Sequence, residues 1–595
     1  MDQRARRLST LILTSAACLL VGCQGGPLGR SERDFDRRVS LASLRTVTPL
    51  DLDDRGAQPP TPITDPAGLA AVRTNFQSAQ QIELTLEEAR AAALEHNLDL
   101  KVSLIAPTID AERINEEEGR YEALIFANAQ FADRDDATAL ATESNQSKFA
   151  YVQPGIRIPL RTGGTAEIRA PMSRSKTDNR FALLNPSYTS DLEFSLSHNL
   201  LRGAGRRANS YAIRVADIGR QQSEARAKLQ IISQLAAADR AYWTLYATRQ
   251  ALDVRARQYE LAERQLGRAQ RRFDAGAVAE VEVARAKSGL ADRVRDIIVA
   301  QNSVLLAERE LKRLLNIPDL GVDSPQHVVT VTDPEPLYYT LDGDKLAGQA
   351  LDGRMELLDL ELQLAADEAL EALRRNDALP LLAAQFTYRI NGLGAEFTEA
   401  IRVASENNFE DWELGLTAEV PIGNEQRKAA IEQAVLARLQ RLATRASRRQ
   451  QVRKEVLDAV DNIDSGWQQI LAARQAVALN ERTLQSEESL FDNGRSTSTD
   501  VLNADARLAD ARLQDIQAVV NYQISQIDLA VATGTLLGAS KVEWEPYDPR
   551  QELTGGEPAV PTLISEKGGM APTPPPADQK PTDMPPAPSE AGTGR

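Results

Sequence analysis

Few residues in this chain could do covalent chemistry. The 595-residue sequence holds two cysteines and three histidines. Cys23 closes the run Leu20-Val21-Gly22-Cys23, which matches the bacterial lipoprotein signal, and the basic Arg4, Arg6 and Arg7 precede the short apolar stretch from Leu8 to Gly22. Lipidation of the Cys23 thiol is therefore the one modification the sequence predicts. Cys18 lies inside the apolar stretch and leaves with the signal, so no disulfide is expected in the mature fold. Gln24, rather than an aspartate, follows Cys23 and points to the outer membrane. His96, His198 and His327 are far apart in sequence, and none sits in a nucleophile or metal motif. No Gly-rich phosphate loop ending in Lys-Ser/Thr is present. The expectation is a protein that is not an enzyme, with no cofactor and no metal.

Composition points the same way. Aromatics make up 5% of the chain and charged residues 26%, a mixture that suits long solvated helices with narrow apolar seams. A formal net charge of -16 argues against gripping nucleic acid, which needs clustered positive charge.

The elements that must position everything else come in two copies. Residues from Phe273 to about Leu315 overlay residues from Phe491 to about Thr533 without a gap: Phe273 and Gly276 fall on Phe491 and Gly494, and Val283 falls on Val501. Ala93-Leu94-Glu95 likewise falls on Ala350-Leu351-Asp352. The repeat is too long for a solenoid and reads as a duplicated half-protein. The expected organisation is a signal peptide at 1–22, lipidated Cys23 with a tether to 82, a first repeat at 83–318, a linker at 319–343, a second repeat at 344–538 and a Pro-rich disordered tail at 539–595. In the first repeat Thr85 and Glu88 have the spacing of a capping box.

Strand and helix signals alternate within each half. Trp412, Leu414, Leu416, Ala418 and Val420 alternate with Glu413, Gly415, Thr417 and Glu419, and Leu192, Phe194 and Leu196 alternate with Glu193, Ser195 and Ser197. Such a sheet has one apolar and one wet face. In an exported lipoprotein that also fits a barrel wall between lipid and water. Two proline-free segments, from about Ala204 to Arg271 and from about Asn424 to Phe491, predict helices of roughly 65 residues, about 100 Å long. They are too polar to cross a membrane and need lateral packing along a seam. Gly276 and Gly494 can turn each into a shorter returning helix.

With these features the chain resembles the TolC-like outer-membrane efflux proteins from about residue 83 to 538. The resemblance is carried by Leu84-Thr85-Leu86-Glu87-Glu88-Ala89, the runs Ala93 to Asn97 and Ala350 to Arg354, and the two Phe-x-x-Gly turns. It is also carried by His198-Asn199-Leu200-Leu201-Arg202-Gly203 and by Trp412 through Pro421-Ile422-Gly423-Asn424. The resemblance implies a mostly α fold with a transmembrane β-barrel portion, in which three chains close one barrel in the outer membrane and their helices form a periplasmic tunnel. It implies a passive exit duct for a tripartite efflux pump or type I secretion system, working with a periplasmic adaptor and an inner-membrane transporter. A periplasmic adaptor, or a structural envelope lipoprotein with a long helical hairpin, is the alternative.

The resemblance further implies that Phe273, Gly276 and Val283, with Phe491, Gly494 and Val501, form the adaptor-docking hairpin turns. Glu282 and Asp500 match acidic gate positions, where threefold symmetry would make carboxylate rings. Departures are visible: Asn503 stands where a second acid is found, Phe491 replaces a tyrosine, and Ser496 replaces a tethering arginine. Extra sequence between Phe126 and Tyr188 adds two strands, Tyr151 to Leu160 and Ala166 to Met172, joined at Gly163-Gly164. These either raise the strands per chain from four to six or form an extracellular flap.

Overall fold

The computed structural model describes residues 80–135, 137, 144–543, 550 and 562–563. Cys23, the signal peptide and nearly all of the tether and tail lie outside the described residues. The first half opens with β1 (Gln81–Leu84) and α1 (Leu86–His96). Thr85 caps α1, accepting from the Glu88 amide while Glu88 accepts from the Thr85 amide, which completes the expected capping box. Asn97 breaks the chain and caps α2 (Leu98–Gly119).

Six strands follow: β2 (Leu124–Asp135), β3 (Gln146–Leu160), β4 (Gly164–Arg169), β5 (Met172–Thr177), β6 (Ser187–Ser190) and β7 (Leu192–Asn199). A short turn of helix, α3 (Arg206–Asn209), leads into α4 (Tyr211–Asp274), 64 residues long, and α5 (Glu280–Leu315) returns along it. Then come β8 (His327–Thr330), α6 (Gly343–Gly353), α7 (Met355–Asp377), β9 (Leu381–Ile390), β10 (Leu393–Gly394), α8 (Phe397–Ser405) and β11 (Glu410–Glu419). The second hairpin is α9 (Glu425–Asp492), 68 residues, with α10 (Ser498–Thr533). The last described elements are α11 (Leu536–Ala539), β12 (Val542–Glu543) and β13 (Thr562–Leu563).

The helices are held by thin apolar seams, as their composition requires. In the first half Ile231, Leu235, Tyr242 and Leu245 of α4 pack with Leu100, Val304 and Leu311, and the Tyr242 and Trp243 rings meet edge to face at 5.5 Å. The second half repeats the scheme on a smaller scale, with Ala347, Leu357, Val452 and Val456 in one cluster and Ile463, Ile470 and Tyr522 in another. The buried carboxylate of Asp239 is clamped by Arg90 through two bonds of 2.8 Å, tying α1 to α4.

Two expectations change here. The segment 319–343 is more than a linker, because its strand β8 pairs in parallel with β1, residue for residue from Gln81↔His327 to Leu84↔Thr330. Secondary structure also continues past 539: β12 pairs with β13, and Val542 joins the first-half core. Each of these strands has four residues or fewer, too short to leave a period in the sequence.

The remaining strands form one sheet. β4 and β5 pair with β3 in a single register on either side of Ala170-Pro171, and β6 with β7, and β9 with β10, behave as one interrupted strand each. The order across the sheet is β2, β3, β4/β5, β6/β7, β9/β10, β11, every neighbouring pair antiparallel. The expected extra strands are therefore part of the main sheet. The predicted Ala166 to Met172 strand is broken in two at Pro171, whose ring removes a ladder donor.

Candidate functional site

The sheet has two unlike faces. One register row runs Ile125, Ile156, Ile168, Phe194, Tyr388, Trp412 across all six strands. The row beside it on the same face runs Ile158, Ala166, Leu196, Phe386, Leu414. Many of these apolar side chains are open: Ile125 is 85% exposed, Trp412 69% and Leu416 68%. The opposite face is polar and better covered. Glu193, Ser195 and Thr387 are buried, and ions pair across the strands: Arg157–Glu167 at 3.1 Å, Arg169–Glu193 at 3.1 Å and Arg389–Glu193 at 3.2 Å. Exposed hydrocarbon backed by cross-strand ion pairs around a buried Glu193 inverts the order of a water-soluble sheet. It matches a wall with lipid on one side and water on the other.

The two hairpin turns are built alike. Gly276 and Gly494 adopt φ of 70° and 71°, the left-handed region that other residues enter at a cost. Gly276 N–H donates to Phe273 O at 2.8 Å and Gly494 N–H to Phe491 O at 3.0 Å; the next amides, of Ala277 and Arg495, reach back to Arg272 and Leu490. The flanking residues then diverge. Phe273 is partly exposed, whereas Phe491 is 5% exposed beneath the Arg272 guanidinium, which lies 4.5 Å from its ring centroid. Arg272 also donates to the carbonyls of Phe491 and Asp492, binding the two turns together.

Val283 and Val501 are buried as well. Of the six residues expected on a docking surface, these two and Phe491 pack inside the hairpin pair, and only Phe273 and the glycine turns face outward. The repeat made these positions visible because core residues recur with the fold. Recurrence alone does not separate core from surface.

Both expected gate acids have local partners. Glu282 lies in the first turn of α5 and meets Arg285 at 2.7 Å. Asp500 is the acid of a capping box on α10, accepting from the Thr497 hydroxyl at 2.6 Å and the Thr497 amide at 3.0 Å. Those hydrogen bonds hold its carboxyl below the usual aspartate range, so the exposed side chain stays ionised. Ser496 donates to Glu487 at 2.8 Å and to Asp500 at 3.3 Å.

One acid escaped sequence reading. Asp505, a turn further along α10, is buried, and its Oδ2 has no hydrogen-bond partner among the described residues. Burial pushes its carboxyl up to about 6, against the pull of Arg293 and Arg512. It lines a cleft of about 340 Å³ with Gln258, Arg264, Glu481, Glu488 and Arg512. An acid in a helix this rich in charge carries no sequence mark of burial. The histidines do not converge: His96 ends α1, His198 sits near the end of β7 at 3.0 Å from the Thr162 hydroxyl, and His327 meets Glu308 at 3.0 Å.

Comparison with known proteins agrees with this geometry. A family model described as outer membrane efflux protein matches residues 346–535. The chain is 26% identical over 317 residues to the outer membrane protein TolC of Escherichia coli (strain K12), covering 50% of this chain and 60% of that protein. It is 24% identical over 277 residues to the TolC of Vibrio cholerae, covering 46% and 61%. The matches thus span less than two-thirds of these relatives' lengths. In fold the chain is similar to the CmeC outer membrane channel of Campylobacter jejuni, with a TM-score of 0.57 at 15% identity, covering 79% of this chain and 88% of that one. It is similar also to CusC, with a TM-score of 0.55 at 15% identity, covering 76% and 92%. At these identities the likeness is one of fold.

Proposed function

We propose that this chain, a TolC-like outer-membrane efflux protein in sequence and fold, is the exit duct of a tripartite efflux pump or type I secretion system. The observation that carries the reading is the inverted sheet, with exposed isoleucines and Trp412 on one face and ion pairs around the buried Glu193 on the other. In the bilayer core every backbone group needs a partner, so a sheet with two free edges must close. Three copies close it as a homotrimeric barrel, apolar face to lipid and polar face to a water-filled lumen.

The hairpins α4–α5 and α9–α10 then extend into the periplasm as a tunnel wall. Helices of 64 and 68 residues reach on the order of 100 Å from the sheet. Among the described residues no helix is long and apolar enough to cross a membrane. At the far end the turns at Gly276 and Gly494, with Phe273, meet the periplasmic adaptor and the inner-membrane transporter, and Glu282 and Asp500 ring the constriction. Cys23 carries the lipid anchor. Transport through the duct is passive, the energy coming from the inner-membrane partner.

Adjacent residues on opposite faces test the duct. In purified protein reconstituted into lipid, Glu413→Cys should react with a membrane-impermeant maleimide, while Trp412→Cys should stay protected until the bilayer is dissolved. Equal labelling of the two in intact bilayers would contradict a barrel wall.

A further inference from the structure

The region between Phe126 and Tyr188 supplies a strand hairpin that four-stranded protomers lack, and the structure indicates where it goes. We infer that all six strands of each chain belong to the barrel wall, so that three chains close an eighteen-stranded barrel rather than a twelve-stranded one. The inference rests on the trimeric duct proposed above and specifies its bore.

Pairing supports this first. β2 bonds to β3 along its whole length, Leu124↔Arg157 through Asp135↔Gln146, and pairs with no other described strand. β3 in turn bonds to β4 and β5, and only these reach β7 and β6. Folding β3 to β5 out as a flap would strip β2 of its only partner and bare both its own edge and that of β6/β7. In hydrocarbon each bare amide or carbonyl is costly. No four-strand subset that leaves out β3 to β5 and keeps β2 is hydrogen-bonded throughout.

The side chains agree. Val152, Ile156, Ile158 and Ile168 of the inserted strands are exposed on the same face as Phe194 and Leu414, and Ile156 and Ile168 share one register row with Phe194 and Trp412. On the other face Arg169 of β4 pairs with Glu193 of β7 at 3.1 Å, carrying the charge ladder across the junction between inserted and ordinary strands. A flap in water has no need of a one-sided apolar band, still less one level with the band on its neighbours. The β2–β3 contact is also a fitted one. A Cβ on Gly155 would come within 2.6 Å of the Phe126 ring, which Arg157 covers at 5.1 Å.

Barrel diameter grows roughly linearly with strand number, so eighteen strands give a bore about 1.5-fold that of twelve, in the range where porins hold an open aqueous channel. The exit would then be wider for solutes than in a twelve-stranded relative.

The test places a nitroxide at Ile156→Cys, Ile168→Cys and, as reference, Leu414→Cys in full-length protein reconstituted into phosphatidylcholine nanodiscs. Collision with oxygen and with a water-soluble nickel chelate is then compared. All three sites should be oxygen-accessible and shielded from the chelate. Water-like values at 156 and 168 beside a lipid-like 414 would overturn the eighteen-stranded wall and leave the duct standing. A water-like 414 would remove the membrane reading and this inference with it. Because a labelled chain could misassemble, the strand count in an electron cryo-microscopy map of the unsubstituted trimer provides the second measurement. Eighteen is expected, and twelve would overturn the inference.

Discussion

Asn97 and Arg354 hold the same place in the two halves and perform the same joining task with different chemistry. Asn97 Nδ2 donates to the carbonyl of Leu314 at 2.8 Å, and Arg354 Nη1 donates to the carbonyl of Ala532 at 3.4 Å. Each sits at the break between two helices and binds it to the last turn of its own half's returning helix. Asn97 also accepts from the Leu100 amide as an N-cap. Arg354 instead gathers Glu356 and Glu455, which Arg448 bridges at 3.4 and 3.3 Å.

These joints should be unequal when cut. Asn97→Ala removes a cap and a buried hydrogen bond, for a loss of about 2 kcal/mol. Arg354→Leu leaves Glu356 and Glu455 with only the more distant Arg448 to pair with and should cost about 3 kcal/mol. Denaturant unfolding followed by helical signal at neutral pH checks the order. Equal or reversed losses would show that Arg354 is not integral to its joint.

Asp505 should make stability depend on pH. Its folded-state pKa of about 6 lies above its unfolded value, so the folded chain resists ionising it. Stability from the neutral acid is complete at low pH and is lost as pH rises through about 6. Asp505→Asn, which cannot ionise, should gain on the native chain by on the order of 2 kcal/mol at pH 8 and by almost nothing at pH 4. Melting curves at the two pH values provide the measurement, and a gain independent of pH would place the effect elsewhere than in Asp505's charge.

Packing at the hairpin ends should be local and one-sided. Phe491→Ala removes a buried ring and should cost about 3 kcal/mol, whereas Phe273→Ala, at the equivalent but partly exposed position, should cost about 1 kcal/mol or less. Hydrogen exchange would show faster amides around Leu490 to Arg495 in the first variant and little change in the second. The difference traces to Arg272, whose counterpart in the second half is Leu490 and cannot cap a ring with charge.

Much of this architecture was legible because it is periodic or repeated. The alternation from Trp412 to Val420 exposed a two-faced strand, and the overlay of Phe273-x-x-Gly276 on Phe491-x-x-Gly494 located both turns. The β1–β8 pair was hidden because Gln81–Leu84 and His327–Thr330 are four-residue strands set far apart in sequence. The joining role shared by Asn97 and Arg354 was half visible, as aligned positions whose residue types differ. Asp500 stands at the Thr497-x-x-Asp spacing of a capping box, whereas nothing in the sequence marks Asp505 as buried. The burial of Asp505 is decided by packing alone.

Asp500 has two duties that substitution can separate. Asp500→Ala removes both charge and cap and should destabilise the start of α10 by about 1 kcal/mol, while Asp500→Asn removes the charge and keeps an acceptor oxygen for Thr497. If a carboxylate ring selects cations, both variants should lose selectivity but only the alanine should fray the helix, read by amide exchange at Ser498 to Val501.

Single-channel recording of the purified mature protein in a planar bilayer tests the central claim most directly. The account predicts discrete, cation-selective steps, with the reversal potential in a salt gradient moving toward zero in Asp500→Asn and Glu282→Gln. Protein shown to be inserted yet silent, both as purified and with these two substitutions combined, would contradict a water-filled duct through the outer membrane.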